Sequence, residues 1–399
     1  MRKIFVTFYL IFITLLSISA QKAKDHYIVI VSLDGFRWDY PIMYDTPNLN
    51  QMAKEGVSST MLPSFPASTF PNHYAIATGL VPDHNGLVNN SFWDNKKQRR
   101  YSMSDPATRD IAEYYLGEPI WLTAQKQGIK VGTVYWVASD IAVKKQHPTY
   151  YKVYNTMPQL TFAQQVDTAM AYLNKPEPER PRLVMVYFSE PDHAGHIYGP
   201  RSKEVRAAVQ QVDSMVGLIK KGIEALPFAS KVNLIVTSDH GMTEISKERV
   251  VKISDYLKPD WYEVIDGSNP TSIFTKTGYR DSVYNALKKV KHIFVWKKEK
   301  VPAKLNYGTS DRIGDIVVAP ELGWQFTEIV RDAKGAHGYF PSYPDMQVIF
   351  RACGPDFKKA YQARQFINVD IYPLLAHLLG IVPEATDGKL ERVRDILIK

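Results

Sequence analysis

The run Pro63-Ser64-Phe65-Pro66-Ala67-Ser68-Thr69-Phe70-Pro71-Asn72-His73-Tyr74 puts one hydroxyl, that of Thr69, where a nucleophile is useful. Pro71 suits the first turn of a helix, because the N–H it lacks is one that the helix leaves unpaired there in any case. Thr69 is then expected at the helix mouth, where free backbone N–H groups and the positive end of the helix dipole favour an alkoxide or a phosphate oxygen. Taken alone, a Thr in that place is more often an N-cap. Four other fragments shift the balance: Leu33-Asp34-Gly35-Phe36, Glu190-Pro191-Asp192-His193-Ala194-Gly195-His196, Thr237-Ser238-Asp239-His240-Gly241-Met242 and Gly335-Ala336-His337-Gly338-Tyr339. Asp34, Asp192 and Asp239 with His196, His240 and His337 make, together with Thr69, a candidate ligand set large enough for two zinc ions.

Asp192 and His196 flank His193-Ala194-Gly195, a spacing that lets both side chains converge on one ion from a turn or the first turn of a helix. Zinc accepts carboxylate and imidazole ligands in tetrahedral sites and keeps one position open where it is catalytic. Adding His337 completes a shell of two imidazoles and one carboxylate. An isolated Asp and His at this spacing are ordinarily a helix cap and a surface residue. Asp239 and His240 are adjacent and would point to opposite faces of a regular strand. Both reach one metal only where the strand has ended, and Gly241 supplies the bend. Asp34 joins them in a second set whose open position Thr69 fills. A hydroxyl held by a metal is acidified towards an alkoxide at neutral pH. Two metals about 4 Å apart stabilise the attacking and the leaving oxygen of an in-line displacement at phosphorus.

The elements that must position these residues read as strands alternating with helices. Tyr27 to Leu33 is a continuous apolar run, as in a strand covered on both faces, and it ends at Asp34-Gly35. Thr46-Pro47-Asn48-Leu49 opens a helix ending near Gly56, and Val57 to Leu62 forms a strand leading into the Thr69 loop. A helix over Glu118 to Gln127 precedes a strand over Lys130 to Trp136. Thr161 and Gln164 are spaced as a capping box for a helix reaching Leu173. The strands Leu183 to Phe188 and Val232 to Val236 flank a helix over Ser202 to Ala225, whose Val205, Val209, Val212, Val216 and Ile219 make one apolar face. The pattern predicts an α/β fold with a mostly parallel central sheet and helices on both faces. In such sheets ligands gather at the carboxyl ends of the strands, and Asp34, Asp192 and Asp239 each lie just past such an end.

From residue 243 to 334 the composition changes, with strands at Ser272-Ile273-Phe274 and Ile293 to Trp296 and a helix over Ser282 to Lys289. This stretch is expected to be a subdomain inserted in one catalytic domain spanning residues 21–399. Strands at Ile316 to Val318 and Gln347 to Arg351 and a helix over Val369 to Leu379 complete the core.

Residues 1–20 read as a signal peptide, with basic Arg2-Lys3, an apolar stretch from Ile4 to Leu16 and the small-residue cleavage site Ser17-Ile18-Ser19-Ala20. The apolar run is shorter than the roughly 20 residues of a membrane span. The chain is therefore expected to be exported, to a periplasm or beyond it, with no transmembrane anchor left after cleavage. Its formal charge of +8 over 399 residues is spread thinly, which suits anionic small molecules and not duplex nucleic acid. Cys353 is the only cysteine, so no internal disulfide forms and the core must supply the stability. Beside Val348-Ile349-Phe350 it reads as a small core residue. No protein partner is inferable.

The motifs Asp34-Gly35-Phe36-Arg37, Thr69-Phe70-Pro71-Asn72-His73, Glu190 to Pro200, Ser238-Asp239-His240-Gly241-Met242 and Gly335-Ala336-His337-Gly338 resemble, in order, those of the nucleotide pyrophosphatase/phosphodiesterase family of the alkaline phosphatase superfamily. The resemblance runs from about Tyr27 to Gly380. The chain is expected to resemble the compact bacterial form, without the cysteine-rich amino-terminal modules and nuclease-like carboxyl-terminal domain of the better-known animal members.

The resemblance implies an alkaline phosphatase-like fold and two zinc ions, one held by Asp192, His196 and His337, the other by Asp34, Asp239 and His240. It makes Thr69 the nucleophile of a double displacement through a phospho-threonine diester, releasing a nucleoside 5′-monophosphate with net retention at phosphorus. It further implies that Asn90 donates to a non-bridging phosphate oxygen, that Phe70 and Tyr151 sandwich a nucleobase, and that Tyr187 lines the phosphate pocket. Each of these aromatics is equally compatible with core packing. A phosphomonoesterase of the same superfamily would share the metals and Thr69 but add basic residues for a dianion, and a lipid or choline diesterase would need an acidic patch for a quaternary ammonium. An exported binding protein retaining metals for structure would show a broken ligand set, whereas every candidate position here carries a competent residue.

Overall fold

The computed structural model describes residues 25–154, 157–326 and 333–398, so residues 1–20, which the sequence leads one to expect as a signal peptide, lie outside the described residues. Its centre is one sheet built on β1 (Tyr27–Leu33), β2 (Val57–Leu62), β3 (Val131–Val134), β4 (Leu183–Phe188), β5 (Val232–Thr237) and β6 (Val348–Cys353). They lie in the order β2-β6-β5-β1-β4-β3, and the short strands Tyr361–Gln362 and Phe366–Ile367 both pair with β2. β1 runs parallel to β4 and to β5, and β3 parallel to β4. β6 is antiparallel to both of its neighbours, β2 and β5. The sheet is thus mostly parallel with one reversed strand inside it.

The unbroken apolar character of β1, β4 and β5 follows from cover on both faces, and each of their residues is buried. Alternate side chains enter different cores. Ile28, Ile30, Leu183, Met185 and Ile235 face one, while Val29, Val31, Val184, Val186 and Val236 face the other. The first face is covered by α2 (Thr69–Thr78), α3 (Ile120–Lys126) and α7 (Ile371–Leu379). The second is covered by α1 (Pro47–Glu55), α4 (Phe162–Leu173) and α6 (Lys203–Glu224). α4 opens on the capping box that its sequence announces: Thr161 Oγ1 accepts from the Gln164 N–H, and the Gln164 side chain accepts from the Thr161 N–H.

A second, antiparallel sheet lies within the 243–334 stretch, ordered Tyr262–Gly267, Thr271–Thr275, Ile316–Pro320, Ile293–Lys297, so the strand expected at Ile316 to Val318 pairs here and not in the central sheet. It has a small core of its own, in which the helix Arg280–Leu287 contributes Val283 and Leu287. Among the described residues no helix is long and apolar enough to cross a membrane.

Candidate active site

Every candidate ligand sits at the carboxyl end of the parallel strands or in a loop packed against it. Asp34 follows β1, Asp239 and His240 follow β5, and Asp192 and His196 lie on α5 (Asp192–Tyr198), just after β4. Thr69 follows the loop that leaves β2. Gly35 turns at φ +67°, and a Cβ there would stand 2.9 Å from the Asp192 Cα. Its bare backbone lets the Asp34 turn lie against α5, where the Asp192 N–H donates to the Asp34 carbonyl at 3.0 Å.

Gly241 acts differently from the flexible bend its sequence suggests. It lies outside the positive-φ region, and what it supplies is clearance, since a Cβ would fall 2.0 Å from the Asp345 carbonyl oxygen. His337 arrives from far along the chain through a two-residue antiparallel ladder, Gly335 opposite Glu244 and Ala336 opposite Thr243.

Thr69 is the first residue of α2 and not its N-cap, a position taken by Ser68, whose side chain makes no capping bond. The loop before it is tied down by buried Asn72, which accepts from the Ser64 N–H at 2.7 Å and donates to the carbonyls of Pro66 and Ser68. The Thr69 hydroxyl is buried and lies 3.0 Å from His240 Nε2.

The three imidazoles share one arrangement. Nδ1 of His196 donates to the Gly335 carbonyl at 2.9 Å, that of His240 to Gly241 at 2.8 Å and that of His337 to Ala67 at 3.0 Å. Spending Nδ1–H on a carbonyl fixes the tautomer and leaves the Nε2 lone pair for an electrophile. These Nε2 atoms face carboxylates: His196 to Asp192 Oδ1 at 3.4 Å, His337 to the same oxygen at 3.9 Å, and His240 to Asp34 Oδ1 at 3.3 Å and Asp239 Oδ2 at 3.2 Å.

Asp34 Oδ1, Asp192 Oδ1 and Asp239 Oδ2 are buried without any hydrogen-bond partner. A buried carboxylate oxygen left so is costly unless a cation answers it, and lone-pair nitrogens beside such oxygens are a donor set that fits divalent metal. Two triplets have donor atoms within 4.8 Å of one another, Asp34/Asp239/His240 and Asp192/His240/His337. His240 therefore reaches both positions, and His196 stands beside the second.

The electrostatics of the protein alone agree. Burial, followed by the charges of Asp239 and Asp192, pushes the Asp34 carboxyl well above its usual range. Burial opposes ionisation of Asp239 too, but the imidazoles of His240 and His73 outweigh it and hold that carboxyl low. Burial, with His240 and His196 alongside, pushes His337 well below the ordinary imidazole value. Tyr187 donates to Asp34 Oδ2 at 2.6 Å, steering the other Asp34 oxygen towards the cluster.

A cavity of about 450 Å³ opens beside this cluster, with Thr69, Phe70, Tyr187, Asp34 and Asp192 in its wall. Asn90 stands beside Phe70, the residue after Thr69, its Oδ1 accepting from the Phe70 N–H at 2.9 Å. The aromatic facing this space from the following segment is Tyr154, and Tyr151 is not among the lining residues. Tyr151 stacks instead on His147, with ring centroids 4.5 Å apart and planes at 7°, and is 37% exposed. The sequence His147 to Tyr154 offers three tyrosines, and alternation along an irregular segment could not say which one turns inward. Trp136, in the loop after β3, is a wall residue that sequence reasoning missed.

Fold and site together define a hydrolase of the alkaline phosphatase-like α/β class, with acidic and imidazole groups gathered as if for metal at the sheet's carboxyl edge. Residues 28–340 match the family described as Type I phosphodiesterase / nucleotide pyrophosphatase. Human ectonucleotide pyrophosphatase/phosphodiesterase family member 5 is 33% identical over 98% of this chain and 82% of its own length. Bovine bis(5′-adenosyl)-triphosphatase ENPP4 is 33% identical over 95% of this chain and 84% of its own. The solved structure of an inactive form of murine ectonucleotide pyrophosphatase/phosphodiesterase 5, in complex with AMP, superposes with a TM-score of 0.88 at 32% identity, covering 94% of this chain and 100% of that one. The chain belongs to the Type I phosphodiesterase / nucleotide pyrophosphatase family, whose members are metal-dependent hydrolases.

Proposed function

We propose that this chain is an exported, zinc-dependent nucleotide pyrophosphatase/phosphodiesterase that cleaves phosphodiester or pyrophosphate bonds of nucleotides and releases nucleoside 5′-monophosphates. The observation that carries the reading is the set of three orphaned carboxylate oxygens facing imidazole Nε2 atoms around the Thr69 hydroxyl. One zinc would be held by Asp192, His196 and His337 and the other by Asp34, Asp239 and His240. When bound, the ions supply Lewis acidity and neutralise charge on the reacting phosphoryl group.

In the reaction, Thr69 Oγ1 attacks phosphorus, the leaving oxygen departs from the opposite side, and a phospho-threonine diester results. Water then attacks the same phosphorus, breaks the bond to Thr69 Oγ1 and restores the hydroxyl. Thr69, at the first turn of α2, sets the phosphoryl group at the positive end of the helix dipole, which favours a non-bridging oxygen there. Asn90, held by the Phe70 N–H, offers its amide NH₂ to the same phosphoryl group. Phe70 and Tyr154 take the nucleobase between them. A nucleotide substrate is supported by the relative that binds AMP, whose inactive form carries alanine in place of a threonine. We read residues 1–20 as a cleaved signal peptide and 243–334 as a subdomain inserted in a catalytic domain of residues 21–399.

The test is to strip the protein with a chelator, restore zinc, and compare turnover of 4-nitrophenyl thymidine 5′-monophosphate with that of 4-nitrophenyl phosphate. Zinc-restored activity with a strong preference for the diester is expected. A preference for the monoester would assign the phosphatase branch, and zinc binding with silence on both would remove the nucleotide reading.

A further inference from the structure

His73 is the one fully buried imidazole near the cluster that neither the ligand sets nor the displacement uses. It lies one helical turn after Thr69, and each edge of its ring meets a segment that carries a site residue. Nδ1 donates to the carbonyl oxygen of Thr69 at 3.0 Å and stands 3.3 Å from Asp239 Oδ2, the orphaned oxygen that faces His240. With that nitrogen protonated, Nε2 accepts from the hydroxyl of Ser32 at 2.8 Å, on β1 two residues before Asp34. The ring packs edge-on against Tyr187, centroids 4.9 Å apart at 88°, and Tyr187 in turn donates to Asp34. One imidazole thus joins the nucleophile's backbone, two ligand-bearing strand ends and the tyrosine that orients Asp34.

A histidine kept only for packing would not need both nitrogens committed in this way. Leucine or phenylalanine would fill a closed apolar space without the cost of burying two polar atoms. The cost is offset here by the Thr69 carbonyl, Asp239 and the Ser32 hydroxyl, each on a segment that carries a site residue.

We propose that His73 is a positioning residue for the displacement at phosphorus, its Nδ1–H fixing the distance between Thr69 and the metal-facing oxygen of Asp239. It touches neither substrate nor reacting atoms and acts through those two residues. The inference rests on the two-metal phosphodiesterase reading above.

The experiment compares His73→Leu, His73→Asn and His73→Gln in the full mature chain by zinc titration of the stripped protein and by kcat and KM on 4-nitrophenyl thymidine 5′-monophosphate. Leucine keeps the volume and loses both polar contacts. The Asn amide nitrogen reaches the place of Nδ1, whereas the Gln amide reaches the place of Nε2. His73→Leu and His73→Gln are expected to weaken zinc binding and lower kcat by about 10- to 100-fold, as for other groups that orient ligands, with KM little changed. His73→Asn should recover most of both. Equal losses in all three variants would assign His73 to packing, and wild-type zinc affinity and kcat in the Leu variant would give it no role; either result overturns the inference. Wild-type protein that binds no zinc or turns over no diester would instead overturn the functional reading on which it stands.

Discussion

The hydroxyl of Thr69 and Nε2 of His240 lie 3.0 Å apart, both buried, although one begins a helix after β2 and the other follows the end of β5. Because His240 spends Nδ1–H on the Gly241 carbonyl, its Nε2 is the acceptor and the threonine is the donor. On the reading proposed above, a cation on the His240 Nε2 lone pair would stand beside the Thr69 oxygen and favour loss of its proton. Thr69→Ala is therefore expected to reduce diester turnover by about 10³-fold or more, while zinc content, held by carboxylates and imidazoles, stays near that of the wild type. Metal analysis beside the activity assay checks this, and turnover within tenfold of wild type would remove Thr69 as the nucleophile.

Tyr154, and not Tyr151, lines the cavity in which the base is proposed to sit. Tyr154 is in the cavity wall, its ring edge-on to Tyr135 at 5.3 Å and its N–H donated to Asp140 at 3.2 Å, whereas Tyr151 is stacked on His147. Stacking of a base on an aromatic ring contributes about 1–3 kcal/mol. Tyr154→Ala should raise KM for the nucleotide diester about 10- to 100-fold, with Tyr151→Ala within about twofold of wild type. The reverse order of effects would seat the base against Tyr151.

Cys353 ends β6 partly buried, and that burial is the main cause that pushes its thiol up to about 11 from 9.0. The thiol is expected to react with a disulfide reagent at pH 8 about 100-fold more slowly in the folded protein than in denaturant, following the smaller thiolate fraction. The sign for stability follows from the same shift. The unfolded thiol ionises near 9.0 and the folded one near 11, so this group lowers stability as pH rises through that window and has no effect at neutral pH. Rapid labelling of the native protein would show the thiol to be accessible and ionised.

What the sequence determined alone is what depends on neighbours along the chain. The unbroken apolar run of β1 announces cover on both faces because each alternate residue must find a core, and Thr161 with Gln164 announces the start of α4 because a capping box closes within one turn. The strand-end positions of Asp34, Asp192 and Asp239 follow from strands whose limits are marked by turn residues.

Tertiary structure alone decided the aims of side chains, since these are set by contacts between segments far apart in the chain. The reversal of β6 between β2 and β5, and the ladder from Thr243–Glu244 to Gly335–Ala336 that carries His337 to the cluster, come from pairings that no local periodicity encodes. The inward turn of Tyr154 in place of Tyr151 has the same origin. So does the place of His73, whose motif is plain in the sequence but whose partners Ser32 and Asp239 are brought to it only when β1 and β5 lie side by side.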